Sequence, residues 1–165
     1  MSKHYFLILL VTLSSWANAC ALHYGTNVAI IGTNEVQEVV RGIVKARKKH
    51  MLENQAKPKH FMKFSLENRL GYAYPNRLDF ALLEPISRHY SQVVSAAKPR
   101  LTVLNELPSE QDLLLITELD ILDALATGKL TWPQAKNKKL VTFRGPEEKV
   151  SDIEKWFSYI FDESV

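Results

Sequence analysis

The sequence predicts an α+β fold in a single domain: a small mixed or antiparallel sheet covered by helices on one side. Three observations lead there. The chain has 165 residues, 46% hydrophobic and 24% charged, which suits one globular domain with a core of its own. Between Asp112 and Phe161, short apolar runs alternate with helix-capping signals and stop at glycine or glycine-proline. Upstream, from Met62 to Tyr74, apolar and polar side chains alternate with the two-residue period of strands.

The N-terminus reads as a targeting segment. Lys3 and His4 form a short positive region, Tyr5 to Leu13 an apolar one too short to span a bilayer, and Ala17-Asn18-Ala19 fits the small-x-small pattern of a signal peptidase site. Residues 1–19 are therefore expected to be a signal peptide cut between Ala19 and Cys20, leaving the domain at residues 20–165, periplasmic or secreted. Cys20 is the single cysteine, so no internal disulfide and no cysteine-based zinc site can form. Its place after the cut raises lipidation, but Asn18 fits a lipoprotein signal poorly, and free export is the expectation.

Leu22 to Gly32 holds the β-branched run Val28 to Ile31, expected as a strand or extended arm. Asn34 can cap a helix with Gln37 in the capping-box position, and Val36, Val39, Val40, Ile43 and Val44 share one face. Its end carries Lys45, Arg47, Lys48, Lys49 and His50, which suit the negative end of the helix dipole. An anionic membrane surface or acidic protein would also suit them. With no aromatic residues interleaved, a solvated helix end is the preferred reading.

After Pro58, Met62, Phe64 and Leu66 alternate with Lys63 and Ser65, and Leu70, Tyr72 and Tyr74 resume the pattern, predicting a β-hairpin closed by Pro75-Asn76. Leu78 to Leu83 fits a strand or the first turns of a helix. Pro85 places a helix start near Glu84, with Ile86, Tyr90, Val93, Val94 and Ala97 as its stripe and Pro99 as its stop. Leu101 to Leu104 is a short strand.

Leu113 to Ile116 is apolar throughout, as a central strand buried on both faces would be. Thr117 is expected to cap the next helix with Asp120 in the box, Ile121, Leu122, Leu125 and Ala126 facing the core, and Gly128 ending it. Thr131, Pro133 and Gln134 open a short helix running to about Lys138. Leu140 to Phe143 is a strand, Gly145-Pro146 breaks it, and Glu147-Glu148 open the last helix. Val150, Ile153, Trp156, Phe157, Ile160 and Phe161 give that helix a wide apolar face.

The net charge of +3 does not call for a nucleic-acid partner. No phosphate loop, Gly-x-Ser-x-Gly elbow or His-Glu-x-x-His motif occurs, and His4, His23, His50, His60 and His89 lack ligand spacing. Glu118, Asp120 and Asp123 crowd one helix start, where capping and dipole charge explain them more cheaply than a bound cation. No metal, cofactor or enzymatic activity is expected. A small hydrolase assembled from His60, His89 and Asp79 ranks last.

The segment Leu113–Val150 resembles the C-terminal half of the sterol carrier protein 2 family, through Gly128, Lys129, Leu130, Ala135, Leu140, Val141, Phe143 and Gly145. The family's further glycine before the last strand is replaced here by Asn137-Lys138-Lys139. The resemblance implies a hydrophobic tunnel for lipids or other apolar ligands, with no catalytic residues. The expected function is thus an exported, non-enzymatic protein binding a lipid or apolar small molecule between Leu119, Leu122, Leu125, Trp156 and Phe157. The alternative is an envelope accessory protein that meets a protein partner through its C-terminal aromatic helix. A membrane is a partner only if Cys20 is lipidated.

Overall fold

The computed structural model describes residues 32–104 and 106–162. The signal peptide, the Ala19–Cys20 cleavage point and the strand expected at Val28–Ile31 lie outside them.

Helix α1, Asn34–Lys48, buries Val36, Val39, Ile43 and Ala46, an apolar stripe at helical spacing. Helix α2, Lys59–Leu70, stands where a hairpin was expected. Met62, Leu66 and Leu70 satisfy both a two-residue and a four-residue period, and all three are buried, whereas Phe64 is 62% exposed. Lys59–Leu70 contains no β-branched residue and is rich in Lys, Leu, Met and Glu, so propensity resolves the tie for helix.

The expected helix from Glu84 is instead a hairpin, β1 (Phe80–Glu84) and β2 (His89–Val94), joined through Pro85 to Arg88. The donors of that turn are held from a distance: Glu118 Oε1 accepts from Ile86 N at 2.7 Å and Ser87 N at 3.2 Å. β3 (Arg100–Val103) and β4 (Leu114–Ile116) follow, with the second fully buried as expected.

Helix α3, Leu119–Ala126, is N-capped by Glu118 without a side-chain cap bond. Thr117, expected as the cap, donates through Oγ1 to the Leu140 carbonyl at 2.8 Å. Helix α4, Trp132–Asn137, has the expected box, Thr131 Oγ1 accepting from Gln134 N and Gln134 Oε1 from Thr131 N. β5, Thr142–Arg144, begins two residues later than expected. Helix α5, Glu147–Asp162, opens on two glutamates and buries Ile153, Trp156, Phe157, Ile160 and Phe161.

Among the described residues five strands form one mixed sheet in the order β3-β2-β1-β4-β5, and the described residues from Asn34 to Asp162 make one α+β unit. β1 pairs antiparallel with β2 and parallel with β4, and β5 closes antiparallel on β4. All five side chains of β1 are buried; since successive side chains point to opposite faces, both faces of the sheet centre are covered, not one. Register aligns Leu82, Leu115 and Phe143 across the sheet. Phe157 lies against Phe80, Trp132, Phe143, Trp156 and Phe161 at ring separations of 5.2–5.6 Å, which fixes α5 on that layer. Among the described residues no helix is long and apolar enough to cross a membrane.

Helices α1, α3 and α4 end in the same way. His50, Gly128 and Lys139 each take a left-handed backbone, with φ of 53°, 71° and 55°. In each case the following N–H bonds back into the last turn: Met51 to Ala46, Lys129 to Ala124, Leu140 to Ala135. Only α3 has glycine there; a side chain in this conformation costs on the order of 1 kcal/mol. Gly42 of α1 has a different task. A Cβ at this position would lie 2.5 Å from the Lys139 carbonyl oxygen and 2.7 Å from that of Lys138. Gly42→Ala is expected to cost about 2 kcal/mol, read as a lower urea midpoint, because rigid backbone would have to move.

Candidate functional site

The sequence singles out two clusters, the apolar set on α3 and α5 as an expected ligand site and the acidic set at the start of α3, read there as capping and dipole charge. Leu119, Leu122 and Leu125 are buried on α3, which packs mainly against α2. Trp156 and Phe157 are buried on α5, within the aromatic cluster. All five are buried core side chains. The apolar face of α5 is likewise buried, leaving Tyr159 as its exposed aromatic.

The acidic set is an internal charge network. Glu118 is 2% exposed and Asp123 1%. Arg47 of α1 forks onto Asp120, Nε to Oδ2 at 2.8 Å and Nη2 to Oδ1 at 2.9 Å, and reaches Glu118 Oε2 at 3.5 Å. Ser87 Oγ donates to Glu118 Oε2 at 2.8 Å. Asp123 accepts from Lys57 Nζ and from Asn54 Nδ2, the latter at 2.7 Å. Asn54 Nδ2 also donates to the Asp120 carbonyl at 2.7 Å. Cations and an amide from α1 and the α1–α2 connection therefore engage these carboxylates; Asp120 also accepts from Ile121 N at 3.0 Å in the first turn of α3, as capping and dipole charge imply, whereas Glu118, the N-cap residue, makes no side-chain cap bond. Among the described residues no group of three or more His, Cys, Asp or Glu could hold a metal ion.

Glu84 ends β1 beside this network, buried, with Lys59 Nζ at 4.0 Å. Burial pushes its carboxyl above the ordinary value of 4.5, against Lys59, with nearby Glu118 adding to the rise. Asp79, named for the hydrolase reading, is occupied by Ser95, whose N and Oγ both donate to Oδ1 at 2.7 Å. His60 and His89 are exposed, and His60 tilts against Phe61 at 4.1 Å.

A third feature is an open cleft of about 500 Å³ between α1 and the turn that follows α4. Glu38, Arg41, Gly42, Lys45, Ala46, Lys49 and Met51 line one side; Asn137, Lys138 and Lys139 line the other. The close approach at Gly42 brings these two lysine-bearing segments together. Lys139 Nζ meets Glu38 Oε2 at 2.9 Å, which holds the Glu38 carboxyl below its ordinary value. Comparison with protein-family models, curated proteins and solved structures finds no match to this chain.

Two outcomes check the internal network. Lys57→Met leaves Asp123 buried beside Asn54 alone and is expected to cost about 3 kcal/mol in urea unfolding, with Asp123→Asn added in the same chain recovering a large part. For Glu84 the folded value lies above the unfolded one, so its contribution is present below the unfolded value and lost as pH rises through the folded value. Glu84→Gln should therefore match the parent near pH ~4 and gain on it toward neutral pH; a parent that outlasts the variant at neutral pH would reverse this assignment.

Proposed function

We propose that the chain is a non-enzymatic binding protein, exported by its leader, whose binding surface is the α1–α4 cleft and whose ligand is anionic. One observation carries this: Arg41, Lys45, Lys49, Lys138 and Lys139 line a single cleft in which Glu38 is the lone carboxylate. Like charges gathered around a concavity focus the field there and attract an anion. A cleft of about 500 Å³ is within the size range of small-molecule sites. The non-enzymatic reading is supported by the engagement of Glu118, Asp120, Asp123 and Asp79 in internal bonds.

A second reading keeps the apolar ligand. Trp156 Nε1 is buried among aromatic rings with no hydrogen-bond acceptor, a donor that a ligand oxygen could satisfy. The sterol carrier resemblance points the same way. Binding there would require Phe157 and its ring neighbours to separate.

Backbone NMR on the full chain distinguishes the two. Titration with multivalent anions, including citrate and poly-glutamate, should shift residues 38–51 and 137–139, and Lys45→Glu with Lys49→Glu should abolish the effect. Shifts spread evenly over all surface lysines would remove the cleft from consideration. Native mass spectrometry showing an apolar molecule that leaves on denaturation would favour the aromatic core instead. Cell fractionation that finds the chain uncut in the cytoplasm would remove export.

A further inference from the structure

Helix α2 is apolar on two sides. Met62, Leu66 and Leu70 are buried. Phe61 and Phe64 point the other way, 53% and 62% exposed. Three residues apart on a helix, they are neighbours on one face. Asn68 and Tyr72 continue that stripe at spacings of four, and both are exposed. Tyr72 lies just past the helix end, after Gly71, whose backbone keeps the right-handed helical conformation. Exposed apolar side chains scattered singly are ordinary, whereas two adjoining phenylalanines make a contiguous patch.

Cations rim the patch. Lys59, 4.0 Å from Glu84, and Lys63 both extend into solvent. The His60 ring rests against Phe61, and the Arg69 guanidinium sits over the Tyr72 ring at 4.9 Å. Glu67 is the only acidic residue of α2. It is shared by Lys63 and Arg100, each at 3.8 Å, and by the Leu101 N–H at 2.8 Å. The face is aromatic at its centre and positive at its edge.

We propose that this face of α2 docks on an anionic lipid bilayer. Phe61 and Phe64 enter the boundary between headgroups and acyl chains, and Lys59 and Lys63 meet the headgroup phosphates. The contact needs no lipid on Cys20, and none of these residues lines the α1–α4 cleft.

Composition and charge select a bilayer over other occupants. Helices that lie on membranes combine phenylalanine with lysine, and the long lysine stem lies along apolar surroundings while its ammonium reaches the headgroups. Protein interfaces also favour aromatic residues but are depleted in lysine. A helix that fills a protein groove repeats its anchors through i+7, and from Phe61 that position is the polar Asn68. A second copy on the same face would bring Lys59 and Lys63 against like charges.

Flotation of the full chain tests this, with vesicles of phosphatidylglycerol in phosphatidylcholine against phosphatidylcholine alone. The parent is expected to float with the anionic vesicles, to bind the neutral ones at least about tenfold more weakly, and to be released as salt rises. Phe61→Ser and Phe64→Ser should each weaken binding about tenfold with Tm unchanged, since both rings are exposed in the free chain. Lys59→Glu combined with Lys63→Glu should weaken it roughly a hundredfold. Tyr159→Ser on α5 and Lys45→Glu in the cleft should leave it unchanged. Phe64→Trp should keep binding, with fluorescence quenched by bromine placed on the acyl chains. No flotation of the parent, or flotation that survives Phe61→Ser combined with Phe64→Ser, would overturn the proposal. So would a loss confined to Lys45→Glu, which would move the vesicle contact to the cleft. A parent that dimerises without vesicles, and turns monomeric when both phenylalanines are changed, would assign the face to a second copy instead. Poly-glutamate shifts over residues 59–64 in a chain that ignores vesicles would assign it to an acidic protein.

Discussion

Glu118, Asp120 and Asp123 sit within one short stretch, yet each reaches a different part of the chain. Glu118 holds the turn between β1 and β2, Asp120 holds Arg47 of α1, and Asp123 holds Lys57 and Asn54 from the segment between α1 and α2. A carboxylate this deeply buried must be paired, because leaving it alone costs several kcal/mol, of order 3–5 when one partner is removed. Apolar burial drives collapse without specifying direction. The three carboxylates supply direction: only one placement of α1, of the loop at residue 54 and of the hairpin turn satisfies all of them. Replacing such pairs with apolar side chains can leave stability unchanged, so their contribution lies in selecting one arrangement.

This division between local and distant partners also explains which elements the sequence reveals. The box of Thr131 and Gln134, the left-handed Gly128 and the acidic start of α5 are written within four residues of where they act, and each is found where its pattern implies. The hairpin at Phe80–Val94 is not written locally. Its turn is satisfied by a carboxylate 31 and 32 residues further on, and Pro85 next to a helical stripe therefore imitates a helix start. In α2 the pattern itself is degenerate, since spacings of two and four share Met62, Leu66 and Leu70.

The cleft is legible by halves. Lys45 and Lys49 announce a basic helix end, and Lys138-Lys139 stand out as a departure from a glycine-bearing pattern, but nothing in either segment says that they meet. Their meeting depends on Gly42, where the absence of a side chain lets α1 come against the backbone of the α4–β5 turn. The aromatic residues of α5 show the opposite case: prominent in sequence, they are consumed by packing against Phe80, Trp132 and Phe143.

The β1–β2 turn sets an order of assembly. On a growing or refolding chain, Ile86 N and Ser87 N donate to water until Glu118 arrives with β4. Pairing of β1 with β4 is also the parallel, long-range contact of the sheet, and contacts of that kind close slowly because a long loop must be ordered first. The hairpin and the central strand pair are therefore completed together. Before that moment the apolar residues of Phe80–Val94 and its unpaired strand edges are exposed, the kind of surface that chaperones shield and that aggregates when left waiting. The same carboxylate that fixes the finished architecture thus also determines how long the nascent chain remains vulnerable.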